Sequence, residues 1–140
     1  MNYYNGFSPA QRMKAYNWLK TQWAEGTRIT RGSCDACGQD EGIIEAHSED
    51  YSEPYGDHIG KYTLCFRCHM AVHCRFRSAG MFTRYCDSIS QGLVFEPFYK
   101  RDFNRFKREQ LQGWNLSPAK TIEAKGNFLM EMIKNGYAKE

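Results

Sequence analysis

No apolar run in this chain approaches the ~20 residues that a bilayer-spanning helix needs, which excludes an ordinary membrane helix. Residues 1–6 carry no basic-then-apolar leader, so the expected location is intracellular. A glycine-rich phosphate loop and a dinucleotide-binding glycine fingerprint are both missing, which sets aside P-loop nucleotide hydrolases and Rossmann oxidoreductases. There is no internal repeat and no low-complexity segment, so a solenoid is excluded. Histidine is absent outside residues 47–73, and no lysine or arginine falls between residues 35 and 57. Within those bounds, 140 residues at 41% hydrophobic and 25% charged predict one globular domain, 1–140, with a modest core.

The expected intracellular location bears on the six cysteines. Thiols stay reduced inside cells, and Cys34/Cys37 and Cys65/Cys68 form two Cys-x-x-Cys pairs, which favours metal ligation over a disulfide framework. Cys74 and Cys86 fit no pair and read as buried or free thiols. Charge is segregated beneath the net +3. Residues 1–34 hold five bases against Glu25, residues 35–57 hold eight acids, and residues 58–110 hold ten bases and four acids. Basic flanks around an acidic centre suit a protein that holds a polyanion on its arms and a cation in the middle.

Along the chain, Ser8-Pro9-Ala10-Gln11 is a capping box that opens a helix over 8–25, with Met13, Tyr16, Leu19 and Trp23 as its expected apolar stripe. Cys34-Asp35-Ala36-Cys37-Gly38 reads as a zinc knuckle, its glycine permitting positive φ. Strands are predicted at 43–47 and 61–64, pairing antiparallel across a turn-rich loop, and a helix from Phe66 to about Arg77. Helices are then predicted over 79–91 and 99–112, with an edge strand or linker at 93–98 containing Pro97. Ser117-Pro118 is expected to start a last helix bearing Ile122, Leu129, Met132 and Ile133, weakened by Gly126 and capped by Gly136.

Two constellations carry chemistry. Cys34, Cys37, Cys65 and Cys68, spaced C-x2-C-x27-C-x2-C, suit the four vertices of a structural Zn²⁺ site. His69 and His73 stand at i and i+4 on one helical face, and His47 ends the strand expected to lie against it. Three imidazoles so placed would hold one divalent cation with positions left open for water and substrate. Spacing alone leaves open that one histidine replaces a thiolate while the others cap or pack.

The run AHSEDYSEP…LCFRCHMAVH resembles the HNH endonuclease superfamily (His-Me finger, ββα-metal), in its zinc-containing phage and bacterial branch, over residues 34–74. Many members of that branch read like AHHxDYxxP…LCxxCHxxxH. The resemblance implies a small zinc-stapled ββα-metal core at 34–76, and with the helices predicted on either side the expected fold is α+β, with an N-terminal helical arm at 1–33 and a C-terminal helical extension at 77–140. It implies structural Zn²⁺ on the four cysteines and a catalytic Mg²⁺, Mn²⁺ or Zn²⁺ on His47, His69 and His73. The implied activity is that of a metal-dependent DNA endonuclease or nickase, in the cytoplasm of a bacterium or phage-infected cell. The alternative is a zinc-dependent nucleic-acid-binding module of the same fold without the chemistry.

Two positions depart from the pattern. The family's general base is the second histidine of its pair, and that position is Ser48, whose unassisted hydroxyl is too weak an acid to serve as a base near neutrality. The family's bracing asparagine falls near Gly60. Replacement bases are His58, because imidazole ordinarily titrates near neutrality, and Glu49 or Asp50. Phosphate contacts are expected from Arg67, Arg75, Arg77 and Arg84 after the metal helix, and from Lys100, Arg101, Arg105, Lys107 and Arg108 on the basic helix. The expected partner is duplex DNA, with a homodimer for double-strand cutting.

Overall fold

In the computed structural model, residues 1–30, 32–123, Phe128 and Met132 are described. They form an α+β protein with helices α1 (Pro9–Ala24), α2 (Phe66–Cys74), α3 (Ala79–Ser90) and α4 (Phe103–Leu111). Two small antiparallel sheets complete it, β1 (Ile44–His47) with β2 (Tyr62–Cys65), and β3 (Leu93–Val94) with β4 (Lys120–Thr121). Among the described residues, no helix is long and apolar enough to cross a membrane.

The capping box at α1 is formed, with Ser8 Oγ accepting from the Gln11 amide at 3.1 Å and Gln11 Oε1 accepting from the Ser8 amide at 2.8 Å. The buried face of α1 is rotated from the expected one. Arg12, Ala15 and Leu19 point inward, while Met13 and Tyr16 are 44% and 41% exposed. The helix packs on the loop between β1 and β2 rather than on the main core, so Leu19 and Ala15 meet Ile59, flanked by Trp18, Tyr51 and Tyr55. Trp23 of the expected stripe packs on the same cluster half-buried, while Met13 and Tyr16 are left to solvent.

β1 and β2 pair in the register Ile44↔Cys65 through His47↔Tyr62. β2 runs directly into α2, with Cys65 as the helix N-cap residue. The cysteine knuckle docks on the chain at Thr63, where Asp35 N donates to Thr63 O at 2.7 Å and Thr63 N donates to Asp35 Oδ2 at 2.8 Å. α2 is shorter than expected, ending at Cys74. Behind it, Phe82, Tyr85 and Ile89 of α3 join Phe95, Phe98, Phe106 and Trp114 in one core with the four cysteines.

The extension differs from expectation in two places. α4 begins at Phe103 because the Asp102 carboxylate accepts from the Arg105 amide at 3.0 Å and sets the helix start. Ser117-Pro118 leads into β4 instead of a helix: Ala119 N donates to Val94 O and Ile122 N to Gly92 O, both at 2.8 Å, closing a ladder against β3. Of the last predicted helix, Ile122 packs on the core just beyond β4, and Met132 is helical and buried, as is Phe128. Leu129, Ile133, Gly126 and Gly136 lie outside the described residues.

Candidate metal centres

Cys34, Cys37, Cys65 and Cys68 are brought together, each offering a sulfur within 4.8 Å of the others, and all four are buried. Cys37 Sγ and Cys65 Sγ stand 3.8 Å apart, which matches the edge of about 3.8 Å for a tetrahedron with Zn–S near 2.3 Å and is far too long for a disulfide. The four cysteines therefore fit a zinc ion. The knuckle is shaped by Cys34 N donating to Gln39 O at 2.8 Å and Gly38 N to Cys34 O at 2.9 Å, with Gly38 at φ 84. Gln39 N also points to Cys37 Sγ at 3.4 Å. Burial pushes Cys68 well up, and hydrogen bonds and charge from the neighbouring cysteines push the same way. A dication relieves that repulsion among thiolates.

Tyr85 also belongs to this site, without any motif that marks it. Its hydroxyl lies 3.0 Å from Cys68 Sγ and is fully enclosed. Burial, then the charge of Cys68, pushes this phenol up and keeps it protonated, so it can donate to the sulfur when that sulfur is a zinc-bound thiolate. The contact is made across the α2–α3 packing and has no local signature.

His47, His69 and His73 form the second cluster, each offering a ring nitrogen within 4.8 Å of the others. His69 Nε2 and His73 Nε2 stand 3.1 Å apart, close to the roughly 3.3 Å expected for two nitrogens at 2.0–2.1 Å from one tetrahedral ion. Nδ1 of His69 faces Glu45 Oε1 at 2.8 Å, which fixes the ring and leaves Nε2 as the free lone pair. Glu45 and His47 alternate on β1 and so share a face, a signal available in the sequence. Nδ1 of His47 is buried and has no hydrogen-bond partner. Burial lowers the His47 pKa to about 4, and burial with the neighbouring imidazoles lowers His73 well below its ordinary value, so both rings are neutral. The residues present fit a divalent cation with imidazole ligands.

The four expected base positions separate. Ser48 is buried, and its Oγ accepts from the Gly60 amide at 2.6 Å. Glu49 lies at the cluster, with Oε2 2.5 Å from His47 Nε2, but Arg75 Nη2 donates to its other oxygen at 2.6 Å and Tyr4 donates its hydroxyl to Oε2. Burial raises this carboxyl, yet the His47 hydrogen bond, the Arg75 charge and the Tyr4 hydroxyl outweigh it, leaving a pKa of about 2. Asp50 is turned to the Ser52 amide at 2.8 Å, and His58 Nε2 to the Ser52 carbonyl at 2.8 Å, so both serve the loop.

Tyr4 also escaped the sequence reading. Its ring packs 4.3 Å from that of His73, and Arg75 Nη1 donates to its hydroxyl at 2.6 Å. Asn5 and Gly6 both take positive φ, 53° and 86°, and close a two-residue turn between Tyr4 and Phe7 that delivers the ring. Asn-Gly is the strongest short-range signal for that turn and was there to be read.

The expected phosphate contacts also divide. Arg67 is buried on Glu109 at 2.7 and 3.1 Å, Arg75 is buried on Glu49, and Arg105 bonds Glu109 and the Pro97 carbonyl while stacking on Phe98. All three are engaged in internal ion pairs. Arg77, Arg84, Lys100, Arg101, Lys107 and Arg108 are exposed. A cleft of about 1690 Å³ carries His69 and His73 on its wall, and Arg77, Arg101, Lys107, Arg12, Arg28 and Lys61 line it as well.

Fold and site together define an α+β protein in which a ββα unit joins a four-thiolate cluster to a three-imidazole cluster at a basic cleft. Comparison of the chain with family models, with curated proteins and with solved structures returns no match.

Proposed function

We propose that the protein is a metal-dependent DNA endonuclease or nickase of the HNH type, hydrolysing phosphodiester bonds at a cation held by His47, His69 and His73. The observation that carries this reading is the convergence of three ring nitrogens within 4.8 Å on a strand and a helix of one ββα unit. A bound divalent cation would supply charge stabilisation at the phosphoryl group and the leaving oxygen. The chain's own part is to hold the site. Burial keeps His47 neutral, Glu45 orients His69, and Tyr4 packs against His73. Arg101 bonds the second oxygen of Glu45 from the cleft wall, where DNA phosphates would lie. The four cysteines, as a zinc site, fix the start of α2 relative to the knuckle.

One observation favours a second reading, a nucleic-acid-binding module without chemistry. Ser48 is committed to Gly60 and Glu49 is an ion-paired carboxylate of pKa about 2, so neither is suited to take a proton from water. Supercoiled plasmid incubated with the protein in Mg²⁺, Mn²⁺, Zn²⁺ or EDTA separates the two. Nicking that requires metal and disappears in His69→Ala supports the nuclease. Salt-sensitive plasmid binding without strand breaks in any metal supports the module. Metal analysis should return about two ions per wild-type chain on the nuclease reading.

A further inference from the structure

Among the described residues, the buried and half-buried guanidinium groups pair with a carboxylate except at Arg12 and Arg28, of which Arg12 is the more deeply buried. Arg67 and Arg105 share Glu109, and Arg75 holds Glu49. Arg12 is 92% buried, as its relative exposure of 8% requires, and among the described residues no carboxylate pairs with it. Its Nη1 donates to the Asn2 carbonyl at 2.5 Å, its Nε is enclosed without a partner, and its plane lies 5.3 Å from the Tyr4 and Tyr51 ring centres. Arg75 also has an unpartnered Nε, but its charge is balanced.

A buried guanidinium without a counter-ion is costly, and aromatic faces offset only part of the cost. Such a group is retained where an anion arrives to complete it. The position of Arg12 identifies the anion. The Tyr4 ring that lies against Arg12 is also packed on His73, and both Arg12 and His73 line the basic cleft. Arg28 lines that cleft too, with Nη1 unpartnered and Nη2 on the Gly60 carbonyl at 3.3 Å.

We infer that Arg12 is a phosphate-binding residue, which takes one backbone phosphate of the substrate beside the imidazole cluster. The Asn2 carbonyl oxygen occupies the place of a phosphate oxygen and is displaced when the substrate binds. Arg28, held on the Gly60 carbonyl at the far end of the β1–β2 loop, adds a second positive charge to the same cleft. The inference rests on the nuclease reading for its substrate, but the anion site is measured separately from cleavage. It assigns a role to the N-terminal arm, which the resemblance to HNH nucleases does not cover.

The test uses the full chain and inorganic phosphate as probe, followed by ¹H–¹⁵N resonances of arginine Nε–H groups. The resonance missing from Arg12→Lys is that of Arg12. In wild-type protein it shifts on phosphate titration, and Arg12→Gln weakens phosphate binding about 10-fold or more. Plasmid nicking, scored in parallel, falls about 100-fold in Arg12→Gln, the scale of losing one preorganised donor to a phosphoryl group. Arg12→Lys keeps the positive charge and recovers part of both. A fixed Arg12 resonance in the presence of phosphate overturns the inference, whether or not the protein nicks DNA. A phosphate-dependent shift in a protein that never nicks upholds the anion site and removes the nuclease.

Discussion

Ser48 and Gly60 look unrelated in the sequence, twelve positions apart, and each departs from the HNH pattern on its own account. In three dimensions they touch, because the Ser48 hydroxyl accepts the Gly60 amide at 2.6 Å. The serine thus fastens the end of the loop to the end of β1, and the two departures amount to one contact. Ser48→Ala removes a partner from a buried amide and should destabilise the fold by about 1–3 kcal/mol in a denaturant melt. Where both proteins are folded, nicking should change less than tenfold, since an engaged hydroxyl is no base; a much larger loss would return Ser48 to the chemistry. Gly60→Ala should cost more than Ser48→Ala in the same melt. Its Cβ would stand 2.5 Å from Leu19 Cδ2, at a φ of +62 that disfavours side chains. The identities of the clustered cysteines and histidines were legible because candidate metal sites leave spacing behind. This brace was not, because a hydroxyl bonded to an amide leaves none.

At the scale of elements, the hairpin and its helix were readable almost to the residue. β-branched and aromatic runs flank the loop, and Cys65 caps the helix that carries both cluster histidines. What packs on them was not readable: Phe82, Tyr85, Cys86 and Ile89 recur at helical spacing and mark the buried face of α3, but spacing does not say which element that face meets. Tyr85 is the sharpest case. A phenol O–H donated to a thiolate sulfur shares its charge and fixes its direction, and groups of this kind tune metal affinity by one to two decades. Tyr85→Phe keeps the ring among Phe95 and Trp114 and removes only the donor. The variant should fold and bind zinc, yet surrender it to a chromogenic chelator about 10-fold faster than wild type. Equal release rates would mean that the Tyr85 hydroxyl contributes no more than packing.

For the molecule as a whole, the resemblance covers residues 34–74, but the packing does not stop there. The cysteines share one core with Phe82, Tyr85, Phe95, Phe98, Phe106 and Trp114, all from the extension. Among the described residues, Arg67 of α2 is neutralised only by Glu109 of α4, and burial works against its charge while that carboxylate outweighs it. From the other side, Tyr4 of the arm bridges Arg75 and Glu49, a pair that neither α2 nor the loop shields alone. A peptide of residues 34–76 therefore keeps every cysteine and histidine of both clusters while exposing Phe66 and Val72 and leaving Arg67 without its carboxylate. Zinc ligation alone can fold very small domains when it supplies most of their free energy. Here the four cysteines sit at one corner of a larger core, and the peptide loses the Arg67–Glu109 pair together with the apolar partners of α2 that the extension supplies. The excised peptide should bind zinc through its thiols but show neither the amide dispersion nor the far-ultraviolet dichroism of a folded ββα unit. The full chain should show both. A zinc-loaded peptide with native-like dispersion would establish that the hairpin and helix stand alone, and that arm and extension serve only the cleft.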